Sequence, residues 1–330
     1  MKKRIALLYG GASSEHDVSV MGYKYVKELL TDTDYDLLPV YVDRSGEWSI
    51  RLMGKSIPAY LCQKNGGSLY TGYGFIDVDC AIPLLHGEGG EDGSIQGALE
   101  HAHVPYVGSG VSASALCIDK VYAKTVARDC GIPTLPHLSF TQEADALTAL
   151  GECRDRLGMP VFIKPRRLGS SVGAFPVLSD SDFIKLLPLA MEKGKGLVMA
   201  ERMLEKKREL ECAFFEAGGE RIITPPGEII IDGFYGWDEK YGGRTKTLAR
   251  AELDDGNAKR ITEYARLLAD ALCLRHLARI DFFLSEGEIY FNEVNTFPGF
   301  TRESLYPKML KENGIDPKDA LVRLIEDALS

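Results

Sequence analysis

The 330-residue chain has no apolar run near the roughly 18 residues that a membrane-spanning helix needs. It has no excess of positive charge: 39 Lys and Arg stand against 48 Asp and Glu, a net charge of -9. That balance excludes bulk nucleic-acid binding and leaves room only for a local basic pocket. No C-x-x-C pair is present. The seven cysteines, at 62, 80, 117, 130, 153, 212 and 273, are odd in number and widely spaced, as reduced thiols of a cytoplasmic protein would be. There is no internal repeat, no low-complexity segment and no G-x-x-x-x-G-K-[ST] phosphate loop. The opening MKKRIALLYGG meets glycines after a short apolar run, so it reads as a first strand and not as a signal peptide.

What is there suits a globular chain of two or three domains, 45% hydrophobic and 26% charged. Strand and helix patterns alternate up to about residue 110, which predicts a small parallel α/β domain. Its first helix carries Ser14 and Asp17 at capping-box spacing. A helix from about Cys117 ends at Gly131 and carries Lys120 and Lys124 one turn apart. Beyond Glu201 the pattern turns rich in hairpins. Residues 232–247 form a long polar loop without periodicity, and loops of that length are usually functional or disordered.

Near the end stands FNEVNTFPG, residues 291–299. Strand alternation puts Glu293 and Asn295 on one face with Phe291. Reading Ser285-Glu286-Gly287 as a three-residue loop sets Phe291 opposite Asp281 and Glu293 opposite Arg279. Arg279, Asp281, Glu293 and Asn295 then share a face. Three oxygen-bearing side chains converging there suit Mg²⁺ or Mn²⁺. The hairpin alone leaves a plain salt-bridged face equally open. A second device is KPRRLGSSVG, residues 164–173, where glycines let backbone N–H groups approach an anion and Lys164 can reach it. Taken alone, that segment is also readable as a flexible basic turn.

Five segments in order, HGEGGEDGSIQG, GSGVSASALCIDK, VFIKPRRLGSSVG, FYGWDEKY and ARIDFF followed by NEVNTFPGFT, resemble the motifs of the D-alanine–D-alanine ligase family. That family belongs to the ATP-grasp superfamily. The resemblance spans nearly the whole chain and implies an α/β fold, α+β in its C-terminal part. It implies three domains: a Rossmann-like N-terminal domain at 1–110, a central ATP-grasp part at 111–200 and a C-terminal one at 201–330. ATP would lie between the last two.

Residue by residue, the resemblance implies that Asp281, Glu293 and Asn295 hold two Mg²⁺ (or Mn²⁺). Lys120, Lys164 and Lys240 match nucleotide and phosphate contacts. Glu201, Arg202 and Met203 match the adenine-binding linker, and Glu209 the ribose contact. Glu15 matches the group that orients the first amino acid, with His86 beside it. Arg279 and the Gly299 backbone match the groups facing the tetrahedral intermediate. Ser304 and Leu305 match the second amino-acid pocket. Glu15, Ser170 and Tyr241 match a hydrogen-bonded trio. Each also has a plainer reading: His86 as a loop histidine, Tyr241 as loop packing, Lys120 and Lys124 as a solvated helix face, Glu15 as a first-turn acid.

The implied activity is ATP-dependent joining of two D-alanines for peptidoglycan precursors, in a cytoplasmic homodimer. Gly236 and Trp237 depart from the family pattern, as do Arg302 and Glu303 in GFTRES. RSGEWS and NEVNT also resemble the D-alanine–D-serine ligases. Leu305 favours D-alanine as acceptor, and Tyr241 disfavours D-lactate. A non-catalytic nucleotide-binding protein of the same fold and another ATP-grasp ligase acting on a different carboxylate are the remaining rivals.

Overall fold

The computed structural model describes residues 2–169, 172–230 and 246–330, and only the backbone of Asn65. Near the N-terminus, strand Arg4–Gly10 lies between Asp36–Val42 and Cys80–Pro83, parallel to both. The sheet is not wholly parallel. Trp48–Leu52 and Lys55–Pro58 extend one edge in antiparallel fashion. Short connections at 43–47 and 53–54 allow only hairpins there, since a parallel return needs a crossover of a dozen or more residues. The first helix spans His16–Leu30, with Glu15 at its N-cap position and no side-chain cap. The Ser14 and Asp17 capping box is therefore not formed.

A second, four-stranded antiparallel sheet runs in the order Phe175–Val177, Val161–Pro165, Leu197–Arg202 and His137–Thr141. Helices Ala146–Arg156 and Asp180–Lys193 bury Phe183, Leu187 and Cys153 against it. A third sheet is built on the long strand Arg208–Ala217, flanked by Gly227–Ile230 and Leu277–Ser285, with Glu288–Asn295 beyond. The helix predicted over 117–131 is two helices. Val111–Ile118 ends at Asp119, whose side chain caps Lys120–Asp129 through the Val121 N–H.

The apolar periodicity of the C-terminal helix Pro317–Leu329 decides how the first and third sheets meet. Ala320, Leu321, Leu324 and Ile325 form one stripe. They join Ile5, Leu7 and Ile82 of the first sheet and Phe215 and Leu277 of the third in a single core. Asp316 caps the helix at the Lys318 N–H, with Pro317 in its first turn, as the sequence predicts. Among the described residues no helix is long and apolar enough to cross a membrane.

Candidate functional site

The hairpin of the third sheet forms the floor of the site. Ser285 pairs with Glu288, so the turn is the two residues Glu286-Gly287, at φ 52° and 83°. Two successive left-handed residues match the twist of the strands, and this turn replaces the expected three-residue loop. Next comes a register shift at Asp281/Phe282. Phe282 pairs with Phe291, but Asp281 pairs with Glu293 and Arg279 with Asn295. Asn292 is the extra residue, a β-bulge. Glu293 thus stands opposite Asp281 and not Arg279. Phe291 leaves the polar face altogether and is fully buried with Ile280, Phe282 and Ile289. The bulge switches the core-facing residues from Ile289 and Phe291 to Val294, which frees Glu293 for the polar side.

The four expected side chains share that face. The Arg279 guanidinium donates to both oxygens of Asp281, at 2.8 and 2.7 Å, and lies 3.2 Å from Glu211. Burial works against the charge of Arg279, but Asp281 and Glu211 more than reverse this and hold it firmly protonated. The Asn295 amide donates to Asp281 at 3.2 Å, and Lys120 Nζ lies 3.0 Å from Glu293. Burial pushes the Glu293 carboxyl up, yet Lys120 and Lys164 outweigh it and bring it down to about 2.

Among the described residues no three His, Cys, Asp or Glu side chains gather as a metal cluster. The set on this face is two carboxylates and a carboxamide. Such a donor set fits a hard divalent cation that completes its shell with water and phosphate oxygens. The protein's own cations at Glu293 and Asp281 mark the same spot as one that attracts positive charge.

The facing wall comes from the second sheet. Lys164 Nζ pairs with Glu201 at 2.8 Å, and Lys124 pairs with the other oxygen of Glu201 at 2.8 Å. Lys124 is fully buried and also donates to the Phe291 carbonyl at 3.0 Å. Burial alone would raise the Glu201 carboxyl, but the two lysines draw it down to about 2. Burial pushes Lys124 down to about 8 against the pull of Glu201. The solvated-face reading of Lys120 and Lys124 is therefore wrong for both.

The base of the glycine–serine segment is pinned by Asp119, which is fully buried. Asp119 accepts from Arg166 at 2.8 to 3.0 Å and from Arg167 at 3.0 Å. Lys120 Nζ donates to the Leu168 carbonyl at 2.8 Å. Between the two walls lies a cleft of about 620 Å³, bordered by Lys120, Lys164, Glu201, Arg202, Met203 and Glu209, with Arg279, Asp281 and Glu293 at its far side.

A small recess continues from the cleft toward the first sheet, lined by Glu15, Gly87, Glu91, Lys120, Glu293 and Asn295. Gly87 and Gly169 both approach Glu15 closely. A Cβ on either would lie 3.0 Å from Glu15 Oε2, so a larger residue would crowd the carboxylate. The His86 ring meets the Phe297 carbonyl at 3.1 Å. Gly299 lies against Ser304, whose Oγ would be 3.0 Å from a Cβ there and accepts the Thr301 N–H at 3.1 Å. Leu305 opens helix Leu305–Glu312 and is buried in the core shared with Phe300. Arg302 pairs with Glu28 and lies over the Tyr25 ring, joining this loop to the first helix. Glu303 pairs with Lys308 at 3.0 Å.

Ser170, Tyr241 and Lys240, and also Gly236 and Trp237, lie outside the described residues. Four residues of the site carry no site role in the sequence reading: Glu91, Asp119, Lys124 and Glu211. Lys124 had a usable signal, its one-turn spacing from Lys120. Asp119 had another, as a helix-capping aspartate preceding a lysine. Glu91 had its place within HGEGGEDGSIQG, which marks the segment but not the role, and Glu211 had none, because nothing local marks a buried acid.

A lysine-lined cleft between two antiparallel sheets, joined to a mixed sheet with a parallel centre, is the architecture of the ATP-grasp ligase class. The family profiles agree. The profile described as D-ala D-ala ligase N-terminus matches residues 4–109, and D-ala D-ala ligase C-terminus matches residues 126–326. A D-alanine–D-alanine ligase of Treponema pallidum (strain Nichols) is 37% identical, over 98% of this chain and 87% of its own length. The D-alanine–D-alanine ligase A of Salmonella typhimurium is 32% identical, over 99% of this chain and 96% of its own. Among solved structures, D-alanyl-alanine synthetase A from Vibrio cholerae superposes with a TM-score of 0.91 at 35% identity, covering 100% of this chain and 99% of that one. The VanG D-Ala:D-Ser ligase from Enterococcus faecalis gives 0.88 at 33%, covering 99% and 100%. The chain belongs to the D-alanine–D-alanine ligase family.

Proposed function

We propose that the chain joins two D-alanines at the expense of ATP, through an acyl phosphate, to supply a dipeptide for peptidoglycan precursors. One observation carries this reading. Asp281, Glu293 and Asn295 converge on the face where Lys120, Lys164 and Arg279 also meet, at the end of a nucleotide-sized cleft. As a ligase of this family the chain uses ATP. Its adenine would lie along Glu201, Arg202 and Met203, its ribose near Glu209, and its phosphates near Lys120 and Lys164. Lys240 and Ser170 would add contacts from the segments outside the described residues. A division at 1–110, 111–200 and 201–330 is a further expectation of the family, supported by separate sheets built on Arg4–Gly10, Val161–Pro165 and Arg208–Ala217.

The chemical obstacle is that one anion, the donor carboxylate, must attack another, the terminal phosphate. Two magnesium ions held by Asp281, Glu293 and Asn295 would neutralise that charge and align the oxygens. Lys120, Lys164 and Arg279 add fixed positive charge that needs no reorganisation. Glu15 orients the ammonium group of the first D-alanine, and His86 borders the same recess. When the second amine attacks the acyl carbon, an oxyanion forms. Arg279 and the Gly299 N–H are the donors suited to it, and losing one such donor typically costs about 10²–10³ in rate. Ser304 suits the acceptor's carboxylate. The Glu15, Ser170 and Tyr241 trio would help keep water from the acyl phosphate.

The likeness to a D-Ala:D-Ser ligase makes D-serine the second reading, but Leu305 brings no polar atom for a hydroxyl. Dimerisation is a further expectation of the family. The test is phosphate release from ATP and Mg²⁺ with D-alanine, D-serine, D-lactate or L-alanine, singly and in pairs. D-alanine alone should give the fastest turnover and a dipeptide. Glu293→Ala should abolish ligation while the protein stays folded by circular dichroism, and normal activity in that variant would overturn the metal assignment.

A further inference from the structure

The segment after the last strand must be held in place without a ladder. The strand ends at Asn295, and among the described residues no strand pairs with Thr296 to Gly299. Pro298 has no N–H to offer. Yet Asn295 and Gly299 flank Phe297 by two residues on either side, and the proposed reaction assigns work to both. Their separation depends on how the Phe297 peptide is fixed.

Phe297 is gripped at both of its backbone polar groups by the loop following strand Cys80–Pro83. The Phe297 N–H donates to Glu91 Oε1 at 3.1 Å. The Phe297 carbonyl meets the His86 ring Nδ1 at 3.1 Å. The other oxygen of Glu91 accepts the Gly87 N–H at 2.9 Å, which ties the two gripping residues to each other. Glu91 is 7% exposed, so these bonds operate away from solvent, where an unmade one is expensive.

We propose that Glu91 is a positioning residue of ligation, clamping the Phe297 peptide together with His86 and so setting the spacing between Asn295 and the Gly299 N–H. This rests on the roles given above to Asn295 and Gly299. Each carboxylate oxygen accepts a backbone N–H, one from Phe297 and one from Gly87, and through these bonds Glu91 acts on Phe297. The geometry needs two acceptors at the length of a glutamate. Glutamine offers one acceptor and turns an NH₂ toward the other N–H. Aspartate is one methylene too short to reach both loops. Burial, reinforced by the nearby Glu15, pushes the Glu91 carboxyl up to about 7, consistent with a group kept for its geometry against the electrostatic cost.

The test compares full-length wild type with Glu91→Gln and Glu91→Asp, using ATP, Mg²⁺ and D-alanine. A misplacement near 1 Å costs roughly 100-fold in rate. Both variants should lose roughly 10- to 100-fold in kcat, while KM for ATP stays within about twofold because the nucleotide cleft is bordered by other residues. Amide hydrogen exchange at Phe297 should speed up in both. Wild-type kcat or unchanged Phe297 exchange in a folded Glu91→Gln would overturn the clamp. So would a parallel rise in KM for ATP with a lowered melting temperature, which marks a general structural role. Should neither variant fold, slow exchange of Phe297 in the wild type is the expected result, and rapid exchange there overturns the proposal. A wild type that forms no dipeptide from D-alanine overturns the underlying ligase reading, and that outcome is distinct from all of these.

Discussion

Lys124, Glu201 and the half-buried Lys164 form a line of charges in which one carboxylate serves two ammonium groups, at 2.8 Å each. Glu201 can stay ionised in the interior because both lysines point at it. Lys124 can stay there because Glu201 pairs with its charge and the Phe291 carbonyl accepts a hydrogen bond from it. Removing one member of a buried pair leaves the other uncompensated. Lys124→Met should therefore destabilise the fold by roughly 3 kcal/mol, at the low end of the usual range because Lys164 still neutralises Glu201. Urea denaturation would measure it, and a loss under 1 kcal/mol would remove Lys124 from the network. At this scale the sequence was legible where a motif fixed the spacing, as for Asp281, Glu293 and Asn295. It was silent on Glu211, and on the role of Glu91 within HGEGGEDGSIQG, since an acid's burial depends on strands far away in the chain. Glu211 meets Arg279 only because Arg208–Ala217 pairs with Leu277–Ser285.

The last hairpin shows the same division one level up. Both strands and their polar face followed from alternation, but the turn length and the bulge did not. A glycine after Glu286 is compatible with a two- or a three-residue loop. Asn292 looks like any other strand residue until Phe291 must join the core with Phe282. Burying Phe291 while keeping Glu293 polar-facing requires one extra residue between them, and packing supplies the reason. Gly287 is held at φ 83°, where a β-branched side chain clashes with the backbone. Gly287→Val should cost roughly 1–2 kcal/mol by the general penalty for left-handed residues, with kcat little changed because the turn lies outside the cleft. Thermal unfolding and a steady-state assay together would check both halves. A stable Gly287→Val would show that the turn can be remade.

The whole molecule depends on how the first sheet is fastened to the third, and His276 is one of the fasteners. It is 1% exposed, with a left-handed backbone at φ 63°. Its Nδ1 accepts the Gly108 N–H at 2.9 Å, and its Nε2 faces Asp327 at 3.2 Å. Burial, with Arg275 adding to it, pushes His276 down to about 4 even though Asp327 pulls the other way. The ring is thus neutral at pH 7, donating from Nε2 and accepting at Nδ1. A folded pKa below the unfolded one means that the unfolded chain binds more protons between about pH 4 and 6.5. Stability from this group is full above 6.5 and is lost as pH falls toward 4, by roughly 3 kcal/mol. His276→Asn keeps an acceptor and tolerates the left-handed backbone, so its stability should fall less steeply over that window. Equal slopes in urea titrations of the two proteins would refute the assignment.

By itself, the sequence determined which local elements form and which side chains carry charge. Glycines, caps and apolar periods act over a few residues, and motif spacing places oxygens along one strand face. It thereby located the carboxylate pair, the lysines and the glycine–serine segment, as well as the family they resemble. Tertiary structure alone decided the hairpin register and which acids and lysines are buried together. It also decided which loop of the first sheet reaches the Phe297 peptide. Those outcomes depend on contacts beyond the reach of local patterns, from the bulge beside Phe291 to the Glu91–Phe297 bond 206 residues apart in the chain, where packing density and desolvation choose among partners that local patterns leave equivalent.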